Sequence, residues 1–481
     1  MTELHKLTLT EAARLLQNRE ISAAEMVGAS LARIEATEPL FKACLTVAGD
    51  QALAEARGLD RAGPDPAKPL WGLPLTVKDV FLTKGLRTTA ASRYLENYIP
   101  AYDARVVERL REAGAVIVAK TNLDEFAMGV STEFSAFGPT FNPWNPAKVP
   151  GGSSGGAAAS VAAYQVPGGF GTDTGGSLRQ PACLCGCVGL KPTYGRVSRY
   201  GIVPVAGSLD QAGPLARRVR DCACLLAAVA GPDERDAISS LHPVEDYAAA
   251  VARPLAGLKL GLPRELWSAV HDSEVKAVLE ATIRTLEGAG ARLAELSLPS
   301  LKYAVAVYNI LASAEASTNL ARYDGVRYGC RAEGSGSLTE LYVSSRSRFL
   351  GPEVRRRIIL GTFVLSSGCY EAYFQKAARV RRLIRDDYLK AMADCDFLLT
   401  PVSPFPAWDL GSFIKDPVTA YGLDFMTLPV NLAGLPALAV PAGLGPSNGL
   451  PVGLQLIGRP FEEKELISAG LAWEEAFPPL L

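Results

Sequence analysis

Residues 149–179 read VPGGSSGGAAASVAAYQVPGGFGTDTGGSLR and form the most unusual stretch of this 481-residue chain. From Val149 to Thr172 no residue is charged, and Gly, Ala and Ser predominate. The stretch then reaches GTDTGGS (171–177), where a serine hydroxyl follows two residues that have no side chain. In such a run the backbone N–H groups can converge on one point without steric obstruction. This is the geometry of an oxyanion hole, although on glycine content alone a tight turn that caps a helix is the favoured alternative.

The segments on both sides of this stretch alternate between strand and helix patterns. Apolar and β-branched runs predict strands, which we place at 43–47, 75–77, 116–119, 258–263 and 397–402. Amphipathic periodicity predicts helices, which we place at 103–113, 272–287, 301–321, 352–388 and from 462 onward. At the N-terminus, Ser22 and Glu25 have the spacing of a capping box, which predicts a helical segment within residues 1–40. The sequence shows no repeat and no charged linker, so we predict a single large α/β domain over residues 1–481.

The composition is that of a folded protein without a general affinity for polyanions. Hydrophobic residues make up 48% of the chain, and 49 Lys and Arg residues nearly cancel 50 Asp and Glu residues, for a net charge of -1. If RNA takes part in the function, we expect another chain to hold it. The N-terminus does not resemble an export signal and the nine Cys residues are an odd number, so we expect reduced thiols and a cytoplasmic location.

Residues 425–458 carry no charge and are numerous enough to raise the question of a membrane span. Five prolines lie within the segment, and each would break the continuous helix that a bilayer requires. We therefore predict no membrane span. The segment is better interpreted as two buried strands, 437–440 and 452–457, joined by a turn at 445–449.

Several common catalytic and metal-binding arrangements do not fit the sequence. The three His residues are isolated from one another, which argues against a Ser-His-Asp triad. Cys183, Cys185 and Cys187 stand close together, but no second Cys or His pair accompanies them, so we assign no metal and interpret them as small buried thiols. Residues 114–121, GAVIVAKT, approach a phosphate-binding loop, but their central four residues are typical of a strand, which argues against nucleotide binding.

A serine nucleophile without a suitable His needs another base, and lysine is the candidate. Its pKa must fall from about 10.4 toward neutrality, which desolvation or a neighbouring cation can achieve. Lys78 follows the apolar run LPLTV (73–77), where we expect burial. A lysine at the end of a strand that extends its amine into solvent is the alternative.

Three blocks of the sequence resemble the signature of the amidase signature family, in the family's order and spacing. They are WGLPLTVKDV (71–80), PGGSSGGAAA (150–159) and GTDTGGSLRQPACLCGCVGLKPTYGRVSRYG (171–201). Other segments resemble one branch of that family, the A subunits of the glutamyl-tRNA(Gln)/aspartyl-tRNA(Asn) amidotransferases. These segments are KTNLDEFAMGVSTEFSAFGPTFNPWN (120–145), AEASTNLARYDGVRYG (314–329), EVRRRIILGTFVLSSG (353–368) and NLAGLPALAVP (431–441). The resemblance implies a mixed β-sheet covered on both sides by α-helices, with a signature core at about 70–215.

The resemblance also implies roles for particular residues. The family uses a Ser-cisSer-Lys triad, and the matching positions are Ser177 as nucleophile, Ser153 as the bridging serine after a cis peptide bond, and Lys78 as base. Ser154 is expected to be a structural hydroxyl. The expected donors of the oxyanion hole are four consecutive amides, those of Thr174, Gly175, Gly176 and Ser177.

A pocket for free glutamine needs an acid for the ammonium and a fixed cation for the carboxylate. The resemblance places these at Asp424 and Arg357, with Tyr308 nearby. Arg355, Arg356 and Arg357 are consecutive and point about 100° apart on a helix, so the helix register decides which of them faces the substrate.

The implied function is hydrolysis of glutamine through a serine acyl-enzyme, which supplies ammonia for the conversion of Glu-tRNA(Gln) to Gln-tRNA(Gln), of Asp-tRNA(Asn) to Asn-tRNA(Asn), or of both. The resemblance implies a heterotrimer with B and C subunits. In it the B subunit holds the tRNA and uses ATP and Mg, and this chain needs no cofactor. The alternatives are a stand-alone amidase that acts on other carboxamides and a catalytically silent scaffold subunit.

Overall fold

The computed structural model describes residues 3–334, 336–414 and 416–481, and a single mixed sheet runs through the described part of the chain. Its eleven strands are β1 (Cys44–Val47), β2 (Pro74–Lys78), β3 (Val116–Thr121), β4 (Gly168–Asp173), β5 (Val188–Lys191), β6 (Gln211–Ala216), β7 (Lys259–Pro263), β8 (Arg292–Leu296), β9 (Phe397–Pro401), β10 (Ala437–Leu444) and β11 (Pro451–Ile457). They are ordered β1-β3-β2-β4-β6-β5-β10-β11-β9-β7-β8. Strands from residues 74–216 and strands from residues 397–457 therefore belong to one sheet.

The sheet alternates between the two kinds of pairing, starting with β1, which is antiparallel to β3. β2 is parallel to β3 and β4, the neighbours from β4 to β9 pair in antiparallel fashion, and β7 is parallel to β8 and β9. The residues of β2, β3, β4, β6, β9 and β11 are buried throughout, as expected for strands covered on both faces. The prediction of a mixed α/β sheet in a single amidase-type domain is confirmed. The outline of a signature core at about 70–215 stays a prediction.

Helices pack against this sheet along the whole chain. The α-helices are α1 (Leu9–Gln17), α2 (Ala23–Phe41), α3 (Gly49–Ala62), α4 (Arg105–Glu112), α5 (Gly155–Ala162), α6 (Arg179–Cys185), α7 (Val219–Val229), α8 (Arg264–Trp267), α9 (Ser273–Gly288), α10 (Ala304–Asn319), α11 (Leu338–Phe349), α12 (Pro352–Val364), α13 (Lys376–Ala391), α14 (Pro417–Gly422), α15 (Leu428–Ala433) and α16 (Glu463–Ala476). The predicted capping box at Ser22 and Glu25 is present at the start of α2. Over the described residues, none of the helices is long and apolar enough to cross a bilayer.

The uncharged segment 425–458 contains α15 followed by β10 and β11, which pair in antiparallel fashion, so the prediction of two buried strands is confirmed. The single helical pattern predicted for 352–388 is interrupted in the structure. α12 ends at Val364, and a π-helical turn at Tyr370–Gln375 precedes α13. The chain can therefore change direction between these two helices.

Candidate active site

Two parallel strands bring the lysine and the Gly-rich segments to one edge of the sheet. β2 ends at Lys78, and its neighbour β4 ends at Asp173, just before the turn that leads to Ser177. α5 starts at Gly155, directly after Ser153 and Ser154. Carboxyl ends of adjacent parallel strands lie side by side, so residues that are 75 or more positions apart in sequence meet here.

Lys78 is completely buried, and three hydroxyl groups surround its amine. Its Nζ donates to Ser153 Oγ at 2.7 Å, to Ser154 Oγ at 2.9 Å and to Thr172 Oγ1 at 2.9 Å. The alternative of a lysine extended into solvent is wrong. The amine has polar partners on every hydrogen, but none of these partners is charged.

This environment lowers the pKa of Lys78 to about 7, because burial disfavours the ammonium form. The charges of Asp124, Asp173 and Asp210 act in the opposite direction and raise it. A lysine with this pKa is neutral in a large fraction of molecules at neutral pH. It can therefore accept a proton from a hydroxyl group.

Ser153 and Ser154 lie at similar distances from the amine of Lys78, but they differ in whether the hydroxyl proton is already donated to another acceptor. The Gly152–Ser153 peptide bond is cis, as the resemblance implies. Ser154 Oγ donates to the carbonyl of Thr172 at 3.0 Å, so its proton is already engaged. Among the hydrogen bonds of the described residues, none uses the hydroxyl proton of Ser153, which leaves this proton available for exchange with Lys78. Ser154 is thus part of the support of the lysine, and Ser153 is the better relay.

The turn before Ser177 requires two glycines. A Cβ atom on Gly175 would lie 2.7 Å from the ring of Tyr308, and one on Gly176 would lie 2.0 Å from Thr427 Oγ1. Gly176 also has a φ of 136°, which residues with a side chain rarely adopt. The absence of side chains lets Tyr308 and Thr427 pack directly on the backbone of the turn.

The four amides predicted as oxyanion donors are not equivalent. The Gly176 amide donates to Asp173 Oδ1 at 2.8 Å and is therefore engaged within the protein. Within the described part of the chain, the amides of Thr174, Gly175 and Ser177 donate to no protein acceptor, and we keep these three as candidates.

Ser177 is adjacent to the relay through its backbone. The amide of Ser154 donates to the carbonyl of Ser177 at 3.0 Å, which joins the two Gly-rich segments. No hydrogen bond between described residues links the hydroxyls of Ser153 and Ser177 directly. Ser177 lines a cavity instead.

A buried ion pair between Arg179 and Asp173 supports the turn at Gly175 and Gly176. Arg179 donates from Nε to Asp173 Oδ2 at 2.9 Å and from NH1 to Gln455 Oε1 at 2.7 Å, and Asn431 Nδ2 donates to Asp173 Oδ1 at 2.8 Å. Burial opposes ionisation of Asp173, but the charge of Arg179 prevails and lowers the pKa of Asp173 to about 2. The carboxylate that accepts the Gly176 amide is therefore permanently charged.

Two further buried acids were not predicted from the sequence. Asp210 accepts a hydrogen bond from Thr174 Oγ1 at 2.7 Å, and Asp124 accepts from the amide of Thr132 at 2.9 Å. Burial raises the pKa of each carboxyl to about 6, although these hydrogen bonds oppose the increase. Both stand in irregular segments whose sequence gives no periodic signal of burial.

The predicted substrate residues Tyr308, Arg357 and Asp424 line the same cavity as Ser177. Arg355 is exposed, and of the three consecutive arginines Arg357 is the one that lines the cavity, so the helix register selects Arg357.

The guanidinium of Arg357 is held from several sides. Its Nε donates to Glu353 Oε1 at 2.8 Å and its NH1 donates to Asn309 Oδ1 at 2.7 Å. The ring of Tyr421 covers it, with 4.1 Å between the guanidinium carbon and the ring centroid. Arg357 is thus fixed in position without a bound substrate.

Asp424 is buried, and its Oδ1 has no hydrogen-bond partner among the described residues. Burial raises the pKa of this carboxyl well above its usual range, and the charge of Asp173 adds to the effect. A cation bound beside it would supply the missing partner and favour the ionised form. The cavity therefore offers a fixed cation and an unpartnered acid next to Ser177, the candidate nucleophile.

Comparisons with known proteins identify the family of the chain. The sequence profile of one protein family, described as Amidase, matches residues 25–467. The chain belongs to the amidase family. It is 54% identical over 482 residues to the A subunit of the glutamyl-tRNA(Gln) amidotransferase of Nitratidesulfovibrio vulgaris (strain DP4), covering 100% of this chain and 99% of that protein.

Solved amidase structures have the same fold. The A subunit of the glutamyl-tRNA(Gln) amidotransferase of Thermotoga maritima is 43% identical, with a TM-score of 0.83 over 99% of this chain and 96% of that one. The peptide amidase of Stenotrophomonas maltophilia is 31% identical, with a TM-score of 0.84 over 98% of each chain.

The three clustered cysteines of this amidase are buried structural residues. Burial raises the pKa of the thiols of Cys183 and Cys187 to about 12 and that of Cys185 well above its usual range, so none is a thiolate at neutral pH. In the described residues no group of three or more His, Cys, Asp or Glu side chains is arranged to hold a metal ion.

The pKa of Lys78 predicts how activity depends on pH. Below about pH 7 the amine is protonated and cannot act as a base, so kcat/KM is expected to rise with pH through an inflection near 7 and then to level off. Initial rates of amide hydrolysis between about pH 5.5 and 8.5 would test this, since the reference pKa of lysine lies at about 10.4. A profile that keeps rising to the upper limit would contradict the lowered pKa.

Proposed function

We propose that this amidase is the glutamine-hydrolysing A subunit of a tRNA-dependent amidotransferase. The observation that carries the proposal is the cavity beside Ser177, where Arg357 and the unpartnered Asp424 complement the carboxylate and the ammonium of free glutamine. The names of the relatives that match over the full length of the chain support the same assignment.

In the proposed reaction, Lys78 begins as a neutral amine. It takes the proton of Ser153 while Ser153 takes the proton of Ser177, and Ser177 Oγ forms a bond to the amide carbon of glutamine. The free amides of Thr174, Gly175 and Ser177 are the candidates to stabilise the negative oxygen of the tetrahedral intermediate.

When the intermediate collapses, the carbon–nitrogen bond breaks and the relay returns a proton to the leaving nitrogen, which departs as ammonia. Water then attacks the acyl ester, with Lys78 again acting as base through the relay, and glutamate leaves. Each cycle restores the neutral lysine and the free serine.

The proposal assigns the remaining steps to partner subunits in the cytoplasm. A B subunit would hold the tRNA and use ATP and Mg to activate its aminoacyl carboxylate, and a small C subunit would complete the heterotrimer. The net charge of -1 is consistent with a subunit that does not bind the phosphate backbone of the tRNA itself. Transamidation by the assembled complex on Glu-tRNA(Gln) and Asp-tRNA(Asn), with glutamine as donor, tests the assignment and identifies the product.

A stand-alone amidase for other carboxamides is the second candidate, and the fold shared with a peptide amidase favours it. The buried acid of the cavity argues against it, because a substrate without an ammonium group would leave Asp424 Oδ1 without a partner. A higher kcat/KM for a simple aliphatic carboxamide than for glutamine would support this alternative. Turnover of either substrate would exclude a silent scaffold.

Asp424→Asn tests the glutamine assignment directly. We expect the KM for glutamine to rise roughly 10- to 100-fold, because the amide cannot neutralise the ammonium and a charged hydrogen bond is lost. The KM for a simple aliphatic carboxamide should not rise. Asp409→Asn is the matched control, since Asp409 is an exposed carboxylate that pairs with Lys148. An unchanged KM for glutamine in Asp424→Asn would contradict the assignment.

A further inference from the structure

Two adjacent buried carboxylates, Asp124 and Glu125, hold different parts of the molecule. Asp124 packs against the catalytic segment, since a Cβ atom on Gly152 would lie 2.3 Å from Asp124 Oδ2. Glu125 accepts hydrogen bonds from Ser92 Oγ and from the amide of Gly351, the latter at 2.8 Å. The mechanism above uses neither carboxylate. Glu125 thus connects three segments that are distant in sequence.

The backbone around Glu125 is strained. Ala90, Ala91, Phe126 and Ala127 all have a positive φ, between 48° and 59°, which is disfavoured for residues with a side chain. The two pairs are joined by a hydrogen bond from the amide of Phe126 to the carbonyl of Ala90 at 2.8 Å. Such conformations persist only where surrounding contacts determine them, and Glu125 lies beside both pairs.

The segments on both sides of Glu125 lead to the proposed glutamine cavity: one begins at Gly351 and the other at Ala127. Gly351 is the residue before α12, the helix that carries Arg357, and a Cβ atom on Gly351 would lie 2.1 Å from Glu125 Oε2. On the other side, Ala127 continues into Met128, Gly129 and Val130, which line the cavity together with Arg357. Glu125 therefore stands between the cavity loop and the first turn of α12.

We propose that Glu125 is a positioning residue for the substrate cavity, which holds the start of α12, and with it Arg357, at a fixed distance from the loop 127–130 beside Ser177. The inference rests on the proposed glutaminase function, because it assigns to Glu125 the spacing between the cation for the substrate carboxylate and the nucleophile. A shift of α12 by a fraction of a helical turn would move the guanidinium away from its target.

The chemistry of Glu125 suggests how its role can be separated from general stability. It has no ion-pair partner within the described part of the chain, and both its hydrogen-bond donors are neutral. Burial raises the pKa of its carboxyl to about 7. A glutamine at this position can accept from the Gly351 amide through its oxygen, and the hydroxyl of Ser92 can rotate to accept from its nitrogen. Glu125→Gln should therefore preserve the connection, and Glu125→Ala should remove it.

The test compares two substrates in the full chain assembled with its partner subunits. For Glu125→Ala we expect the KM for glutamine to rise roughly tenfold or more, with a smaller change in kcat, because only binding through Arg357 is impaired. The KM for a simple aliphatic carboxamide, which has no α-carboxylate, should stay within about twofold. Glu125→Gln should restore the KM for glutamine. If Glu125→Ala does not fold, Ser92→Ala removes one of the two bonds and should raise the KM for glutamine about threefold.

Glu474→Ala is the matched control. Glu474 is a half-buried carboxylate of α16 that accepts from the amide of Val219 at the start of α7, and burial raises the pKa of its carboxyl to about 7. It resembles Glu125 in environment but is not part of the cavity, so its loss should lower Tm without changing the KM for glutamine.

The outcomes separate the two proposals. Equal increases in KM for both substrates in Glu125→Ala, no increase for either, or failure of Glu125→Gln to restore binding would overturn the role of Glu125. An unmutated complex that does not hydrolyse glutamine would instead overturn the proposed function.

Discussion

Ser177→Ala is expected to abolish glutamine hydrolysis, with kcat lower by about 10⁴-fold or more. Within the described residues, Ser177 supplies the only serine hydroxyl that lines the cavity with Arg357 and Asp424, and this hydroxyl belongs to the turn that carries the free amides. Without this hydroxyl, no acyl ester can form and the relay from Lys78 has no nucleophile to activate. Glutamate release by the purified complex is the measurement, and mass spectrometry of an acyl adduct identifies the ester.

Neighbouring serines provide graded controls for this variant. Ser160→Ala should retain activity, because Ser160 is buried in α5 and bonds to Ala157 and Thr76 rather than to the lysine. Ser153→Ala should be nearly as inactive as Ser177→Ala. Ser154→Ala should lose less activity, since its hydroxyl supports the amine without passing on a proton. Glutaminase activity at the unmutated rate in a folded Ser177→Ala protein would rule out Ser177 as the nucleophile.

Arg179→Met is expected to lower the free energy of unfolding by about 3–5 kcal/mol, because it leaves the charge of Asp173 buried without its cation. Arg179 is completely buried and also donates to Asn431, to Gln455 and to the carbonyl of Thr427, so with Asp173 four acceptor residues lose a partner at once. The pKa of Asp173, now about 2, should rise once the opposing charge is gone. Urea denaturation followed by fluorescence measures the loss.

A double variant distinguishes the role of this pair in stability from its role in catalysis. Arg179→Met combined with Asp173→Leu removes both charges and should recover part of the stability, since no buried charge remains unpaired. It should not recover activity, because the Gly176 amide has lost its acceptor and the turn is no longer braced. Arg382→Ala is the control, because Arg382 forms an exposed pair with Asp386 that contributes at most about 0.5 kcal/mol. Equal stability of Arg179→Met and Arg382→Ala would refute the argument.

The residues proposed for the chemistry could be located because their signal is local. Lys78, Ser153 and Ser177 lie in short blocks whose order and spacing resemble a known family, and the structure places the first two in direct contact. Asp424 and Arg357 could be located through the same resemblance, but only the helix register distinguishes Arg357 from its two neighbours.

The supporting residues could not be predicted, for a physical reason. Asp124 and Asp210 are buried in irregular segments, where burial leaves no periodic pattern in the sequence. The same holds for α5 and α6, which are buried on all sides and therefore lack the polar face by which a surface helix is identified. Glu125 looks like an ordinary surface carboxylate until Gly351, which is 226 positions away, is seen to donate to it.

The brace beneath the catalytic turn has a consequence for when the enzyme becomes active during synthesis. A nascent chain that has emerged only to residue 215 carries Lys78, Ser153 and Ser177 but lacks Tyr308 and Thr427, which pack on Gly175 and Gly176. It also lacks Gln455, the acceptor that completes the surroundings of Arg179. We therefore expect the N-terminal half to leave the ribosome without these supports of the turn, and the site to become fully formed only when nearly the whole polypeptide has been made.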